Sequence, residues 1–109
     1  MLELDDVVAG WHRVRREGSR AELEDLWLEP ERIGGGYGRK LFEHAVRIAR
    51  DGGARALEWD AEPYALGFYE RMGGIVIGET PSAVEPGRRL PRMRLTLAAA
   101  RARPQRGGA

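Results

Sequence analysis

The chain has 109 residues, of which 42% are hydrophobic and 32% are charged; its formal net charge is +1 and it contains no cysteine. This length and composition predict one globular domain, and the lack of cysteine excludes disulfides and thiolate metal sites and suits a reducing cytoplasm. No apolar run approaches the roughly 20 residues that span a bilayer, and the acidic start lacks the basic segment of a signal peptide, so we expect a cytoplasmic protein without a membrane anchor.

Charge is distributed unevenly along the chain. Residues 86–109 contain seven arginines and no acid, whereas the preceding residues have a balance of −6. An arginine-rich end can attract nucleic acid, but no aromatic side chains that would stack on bases lie between these arginines. We therefore expect a folded domain over residues 1–97, a disordered arginine-rich tail over 98–109, and no nucleic-acid partner.

Two strands are predicted near the start, over 7–15 and 21–28, because β-branched and aromatic residues flank the turn residues 17–20. Apolar residues change parity within the second strand. Leu23 and Trp27 share one parity, whereas Leu26 and Leu28 share the other. A β-bulge produces such a change, and burial on both faces would also account for it.

Helical and strand patterns then alternate. Apolar residues with helical spacing predict a helix from Gly38 to the stop signal at residues 51–53. Further elements are predicted as strands over 54–60, 75–79 and 90–97, a short helix over 64–72 and a long loop over 80–88. The order β-β-α-β-α-β-β predicts a mixed α/β sheet.

The first long helix is preceded by four glycines within five positions: Gly34, Gly35, Gly36 and Gly38. A loop without Cβ atoms at a helix N-terminus exposes backbone N–H groups to an anion such as phosphate. Arg39 and Lys40 oppose the helix dipole in the first turn, which also favours a bound polyanion. The spacing matches neither G-x-x-x-x-G-K-[ST] nor G-x-G-x-x-G. A packing role for the glycines is the alternative.

Two motifs in the same order make the chain resemble the GNAT N-acetyltransferase superfamily. The pyrophosphate loop of that family, R/Q-x-x-G-x-G/A, aligns with residues 33–38. The second motif, N-x-x-A-x-x-F-Y-E-x-x-G, aligns with Glu62, Ala65, Phe68, Tyr69, Glu70 and Gly73. The resemblance covers roughly residues 6–97 and implies an α/β fold, with a mixed, mostly antiparallel sheet flanked by helices, and acetyl-CoA as co-substrate.

The resemblance also implies a site. A bulge splays the strand before the loop from the next strand, and the pantetheine arm of acetyl-CoA lies in the opening. The implied cofactor-binding residues are Leu26, Trp27, Leu28, Ile33, Gly34, Gly35, Gly36, Tyr37, Gly38, Arg39, Lys40, Glu62, Ala65, Phe68 and Tyr69. Tyr69 matches the tyrosine that contacts the cofactor sulfur, and a phenol with an ordinary pKa of about 10 can protonate the departing thiolate. A core role for Phe68 and Tyr69 is the alternative.

Direct acetyl transfer needs a neutral amine, so some group must accept the amine's proton. The resemblance places a carboxylate on the strand before the loop, where the candidates are Glu22, Glu24 and Asp25. Strand parity puts Glu22 and Glu24 on one face, and the match to the family favours Glu22; a solvated acidic face or a water chain is the alternative. His12 and His44 have no partner at metal-ligand spacing, so we expect both to be structural and no metal to be bound.

Three departures from the family pattern bear on function. Ile33 replaces the usual Arg or Gln, and Glu62 replaces Asn and brings an anion near the cofactor. The family domain begins with a strand and two helices that wall the acceptor site, and this chain starts after them. For the absent wall of the acceptor site we expect one of three explanations. A partner subunit completes the site (such as a second copy in a homodimer), the acceptor pocket is open, or the chain is a truncated product. The sequence thus predicts an N-acetyltransferase of unknown acceptor or, alternatively, a non-catalytic acyl-CoA-binding or partner-docking module.

Overall fold

The computed structural model describes residues 2–4, 7–28 and 35–97, and describes side chains from residue 10 onward. The elements in these ranges are β1 (Leu2–Leu4), β2 (Val7–Glu17), β3 (Arg20–Leu28), α1 (Tyr37–Asp51), β4 (Ala56–Asp60), α2 (Leu66–Arg71), β5 (Ile75–Pro81) and β6 (Arg89–Thr96). The predicted order β-β-α-β-α-β-β is confirmed, with β1 as an additional strand before it. The predicted tail over 98–109, and Ile33 and Gly34 of the glycine loop, lie outside the described residues.

The helix predicted over 64–72 begins differently. Pro63–Ala65 form a 3₁₀ turn, and α2 follows directly. The N–H of Ala65 donates to the carbonyl of Glu62 at 2.8 Å, three residues earlier, which is the spacing of a 3₁₀ turn. This turn leads the chain from the end of β4 into α2.

The second hairpin strand contains the bulge that the parity change predicted. In the antiparallel pairing of β2 with β3, Arg13 faces Asp25 but Val14 faces Leu23, so Glu24 is the extra residue. Leu26 lies beyond the bulge and packs against the same core as Leu23. The bulge therefore returns the apolar side chains that follow it to the buried face.

In the described residues, six strands form one sheet in the order β1-β2-β3-β4-β6-β5. The pairing of β3 with β4 is parallel, and α1 provides the crossover that parallel neighbours require. The remaining pairs of neighbouring strands are antiparallel. β4 lies near the middle of the sheet, and its residues Leu57, Glu58 and Trp59 are buried.

Both helices lie on one face of the sheet, where the core forms. Phe42 of α1 meets Trp59 of β4 edge-on, with ring centroids 5.3 Å apart. Leu57 and Met93 are fully buried in the same cluster. Burial of these large side chains supplies most of the drive for folding, since each contributes about 1.5–3 kcal/mol relative to exposure.

The opposite face of the sheet carries charged side chains and no helix in the described part of the chain. Its main apolar feature is a stacked pair, Trp11 and Trp27, with centroids 4.6 Å apart and exposed fractions of 43% and 37%. The edge strand β5 is also apolar at its start, because Ile75, Val76 and Ile77 are all exposed. Among the described residues, no helix is long and apolar enough to cross a membrane.

Candidate active site

β3 and β4 diverge from one another, and this divergence creates a cleft. Their parallel pairing extends over only three residue pairs, from Arg20–Ala56 to Glu22–Glu58. Beyond Glu22, β3 continues for six residues, to Leu28, without a partner on that side in the described residues. The edge formed by residues 23–28 therefore presents backbone N–H and C=O groups to whatever enters the cleft. Leu26, Trp27 and Leu28, which the family resemblance predicts to bind the cofactor, lie on this edge.

The N-terminus of α1 carries no side-chain cap. Gly36 is the N-cap residue, with a φ of 84° that a residue with a Cβ adopts only under strain. Its carbonyl accepts from the N–H of Lys40 at 3.2 Å, and no side chain of the described residues accepts from the first-turn amides. Uncapped amides at the positive end of a helix dipole form a ready site for an anion. The structure thus fits a phosphate group at this point.

The two sequence motifs and β3 meet beside this helix start. A Cβ built on Gly38 would lie 3.7 Å from the ring of Phe68 and 3.9 Å from Leu28. Gly38 belongs to the glycine loop, Phe68 to the second motif and Leu28 to the open edge of β3. Three segments that are distant in sequence therefore converge on one end of the cleft.

The basic side chains of the first turn differ in their contacts. Arg39 donates to Glu43 one turn later, with Nε 3.0 Å from Oε2. Lys40 is exposed and forms no ion pair with a described residue. Tyr37, the first residue of α1, is half-buried. Lys40 is therefore the cation in this turn that is most available to a second anionic group.

Tyr69 lies on α2 with its ring in the core and its hydroxyl unengaged. The ring centroid is 5.7 Å from that of Phe42 and 5.1 Å from that of Trp59. No described residue forms a hydrogen bond with the hydroxyl group. The hydroxyl oxygen is not fully buried either, so it keeps some contact with solvent. Burial, followed by the nearby Tyr64, raises the pKa of Tyr69 to about 12. The phenol therefore stays protonated throughout the physiological pH range and can donate a hydrogen bond.

The acid that replaces the family's asparagine has a counter-ion. Glu62 Oε1 accepts from Nη2 of Arg88 at 3.3 Å, and Arg88 also pairs with Glu85. Arg88 ends the loop between β5 and β6, so this pair ties the loop to the second motif. Ala65, three residues after Glu62, is half-buried against the core. The anion that Glu62 brings to the site is thus balanced by an arginine 26 residues away.

The carboxylates proposed as proton acceptors are all ion-paired. Both oxygens of Glu22 accept from Arg92, and Oε2 of Glu24 accepts from Nε of Arg15 at 2.6 Å. Asp25 pairs with Arg13 at 2.7 Å. Glu22 and Glu24 lie on the face opposite the helices, as parity predicted, but the bulge at Glu24 separates them. Sequence reasoning missed Arg92, although strand alternation in β6 would have placed it on this polar face.

The two histidines, which lie 32 residues apart in sequence, contact one another. Nε2 of His12 lies 2.7 Å from Nδ1 of His44, and the rings are 4.9 Å apart. Burial, followed by the neighbouring His44 ring, lowers the pKa of His12. Within the described residues, no three His, Asp or Glu side chains come together as a metal site would require. The pair joins β2 to α1 away from the cleft.

Comparison with known proteins identifies a family. Residues 1–74 match the model of the acetyltransferase (GNAT) family. The sequence has no significant match among curated proteins. The family match includes β3, the glycine loop, α1, β4 and α2, and therefore all the elements that line the cleft.

Solved structures share this fold. Nourseothricin acetyltransferase is 28% identical, with a TM-score of 0.79, over 86% of this chain and 61% of its own. Aminoglycoside 6′-N-acetyltransferase complexed with coenzyme A is 16% identical, with a TM-score of 0.78, over 89% of this chain and 71% of its own. The ribosomal-protein-S18-alanine N-acetyltransferase from Escherichia coli is 19% identical, with a TM-score of 0.75, over 90% and 67%. The chain thus spans 61% of the length of the first of these proteins.

Proposed function

Because the chain belongs to the GNAT acetyltransferase family, we propose that it transfers an acetyl group from acetyl-CoA directly to a primary amine. One observation carries this proposal: the open edge of β3 ends at Leu28, next to Gly38 at the start of α1, where no described side chain caps the helix. This arrangement suits a ligand with an extended amide-bearing arm and a diphosphate. Solved relatives that contain coenzyme A support the same ligand class.

The chain would bind acetyl-CoA with backbone groups. The pantetheine arm would pair with the free backbone edge of Leu26, Trp27 and Leu28 as an added strand would. The diphosphate would lie on the amides after Gly36, with Lys40 as a nearby cation. The coenzyme supplies an acetyl group activated as a thioester. The chain's own residues orient that thioester and govern the protons.

The reaction moves one acyl group and one proton. The amine nitrogen bonds to the acetyl carbon, the C–S bond breaks, the amine gives up a proton and the thiolate takes one up. Tyr69 is proposed to hydrogen-bond the departing thiolate and to supply its proton, since the phenol is protonated at physiological pH. The coenzyme thiol then leaves neutral.

Two carboxylates are proposed as acceptors of the amine's proton. Both oxygens of Glu22 are held by Arg92, and its side chain is 16% exposed. Glu24 lies at the bulge with a side chain 31% exposed; its Oε2 is 2.6 Å from Nε of Arg15 and its Oε1 is 3.5 Å from Nε of Arg13. The geometry therefore favours Glu24, which can receive a proton from the amine directly or through water.

The test is turnover. Purified protein is mixed with acetyl-CoA and a panel of small and peptide amines, and the released thiol and acetylated product are measured together. The proposal is supported if the wild type forms acetylated product and Tyr69→Phe forms it more slowly. Hydrolysis alone across a broad panel contradicts it.

The alternative is a non-catalytic acyl-CoA-binding or partner-docking module. It is favoured by the helix-free sheet face, because no helix in the described residues walls an acceptor there. In that case coenzyme A would bind, while Tyr69→Phe would leave every measured property unchanged.

We also propose that the protein is cytoplasmic and forms a homodimer. The apolar start of the edge strand, at Ile75, Val76 and Ile77, supports self-association. Light scattering coupled to gel filtration tests this, and a monomer at micromolar concentration contradicts it.

A further inference from the structure

Arg92, on β6, joins three strands across the sheet face that bears no helix. Its Nη1 lies 2.7 Å from Oε2 of Glu22 and its Nη2 lies 2.5 Å from Oε1, so guanidinium and carboxylate form a two-point pair. The same guanidinium donates to Asp60 and to Glu58, each at 3.2 Å. Because β6 neighbours β4 and not β3, the contact with Glu22 passes over β4.

This bridge lies where the cleft begins. Glu22 and Glu58 are the last residues that pair β3 with β4. Arg92 faces Asp60, two residues further along β4. The guanidinium therefore spans the apex of the cleft, between the last paired residues and the first open ones.

The Arg92 bridge contributes to the attachment of β3 to β4. Only three residue pairs join the backbones of β3 and β4, so side chains supply a large part of the attachment. Glu22 and Arg92 are 16% and 17% exposed, which protects the pair from the screening that weakens exposed ion pairs. Removing the arginine would leave Glu22 with Arg20, at 3.9 Å, as its one counter-ion among the described residues.

We infer that Arg92 is a positioning residue that holds β3 against β4 at the apex and so sets the width of the cleft for the acyl-CoA arm. The choice of ligand rests on the proposed function, whereas the tie between the strands does not. Arg92 acts through Glu22 on the position of β3 and is not itself proposed to contact the acetyl-CoA arm.

Arg94 provides a matched control. It lies two residues further along β6, faces Glu58 in the β4–β6 pairing and donates to it at 2.8 Å. It forms no ion pair with a described residue of β3. Arg94→Met therefore removes an ion pair with Glu58 from the same face without releasing β3.

The experiment compares Arg92→Met with Arg94→Met. Coenzyme A affinity is measured by calorimetry well below both melting temperatures, and KM and kcat for acetyl-CoA are measured with an amine that the wild type acetylates. Arg92→Met is expected to raise Kd and KM about ten-fold or more, with a smaller change in kcat, because a misplaced edge mispositions the arm. Arg94→Met is expected to leave Kd within about two-fold. A wild-type Kd in Arg92→Met, or the same loss in both variants, overturns the inference.

Arg92→Lys separates the two-point geometry from the charge. Lysine restores one positive charge but cannot grip both carboxylate oxygens in the same way. It is expected to recover the melting temperature and not the Kd. A wild-type Kd in Arg92→Lys would contradict the requirement for a two-point pair with Glu22. If Arg92→Met does not fold, Arg92→Lys takes its place in every measurement.

Amide hydrogen exchange gives a readout independent of the ligand. In Arg92→Met, protection should fall at residues 20–22 and 56–58 relative to Arg94→Met, because the strands part more easily. If the wild type binds no coenzyme A, the proposed function fails and exchange alone decides the inference. Unchanged protection in these segments then contradicts it.

Discussion

The imidazole rings of His12 and His44 are joined by a 2.7 Å contact between Nε2 of one and Nδ1 of the other, which connects β2 to α1. Such a bond needs at least one neutral ring to act as acceptor. Nδ1 of His12 is buried without a partner among the described residues, and burial lowers the pKa of His12. The pair therefore links fold stability to pH.

We predict a loss of stability in mild acid that depends on His12. Because the pKa of His12 is lower in the folded chain than the ordinary value of 6.5, its contribution is fully present above pH 6.5 and is lost as pH falls through the folded pKa. The free energy of unfolding in urea should fall as the pH drops below 6.5, and His12→Gln should flatten that decline. At pH 7.5 the variant should be less stable by about 1 kcal/mol, the net value of one hydrogen bond. If the free energy of unfolding falls with pH equally steeply in the wild type and in His12→Gln, carboxylates and not His12 cause the loss of stability.

Tyr69→Phe should separate catalysis from binding. The ring would keep its packing on Phe42 and Trp59, so the melting temperature and the coenzyme A Kd should stay close to wild type. The rate of acetyl transfer should fall about 10²- to 10⁴-fold, the usual contribution of a general acid. Tyr64→Phe is the matched control, because Tyr64 is almost fully exposed and loses the same atom. An unchanged transfer rate in Tyr69→Phe would remove the phenol from the mechanism.

Gly36→Ala should weaken coenzyme A binding through the backbone. Gly36 has a φ of 84° and open space around it, so a methyl group strains the main chain without a steric clash. Gly18 has a φ of 60° and is equally uncrowded, in the turn between β2 and β3. Alanine at either position should cost about 1–2 kcal/mol of stability. Only Gly36→Ala should also raise the Kd measured by calorimetry, and equal Kd values for the two variants would count against an anion at the start of α1.

Gly74→Ala should disturb the support behind Tyr69. A Cβ at Gly74 would lie 2.9 Å from the Trp59 ring and 3.2 Å from the carbonyl oxygen of Tyr69. Overpacking of this kind costs about 1–3 kcal/mol, so urea denaturation followed by tryptophan fluorescence should show a lower midpoint. Gly78→Ala, on β5 with nothing within 4 Å, should leave the midpoint unchanged or raise it. A Gly74→Ala midpoint equal to that of Gly78→Ala would contradict the close packing.

Elements whose signals are local could be predicted from the sequence. The stripe that includes Leu41, Phe42 and Ala45 defined α1, and all three are buried. The parity change between Leu23 and Leu26 predicted the bulge because side chains alternate along a strand. The family resemblance rested on two motifs with fixed internal spacing, and the family match confirms it.

Partners that are distant along the chain were not predictable in the same way. Arg88 meets Glu62 across 26 residues, and His12 meets His44 across 32. Nothing in the spacing of such residues indicates which side chain will face which, since that depends on the order and register of strands. The candidate proton acceptors illustrate this, because their arginine partners became visible only in the folded chain.

The amino-acid sequence by itself determined the strands, the helices and the glycine-rich start of α1, because backbone preference and apolar periodicity act over a few residues. Tertiary structure alone decided that β3 and β4 part after Glu22, that Arg92 spans their junction, and that the Tyr69 phenol is buried deeply enough to raise its pKa. Those properties depend on the register of a parallel strand pair and on the desolvation of a ring by residues from three elements, and neither is encoded in any single segment.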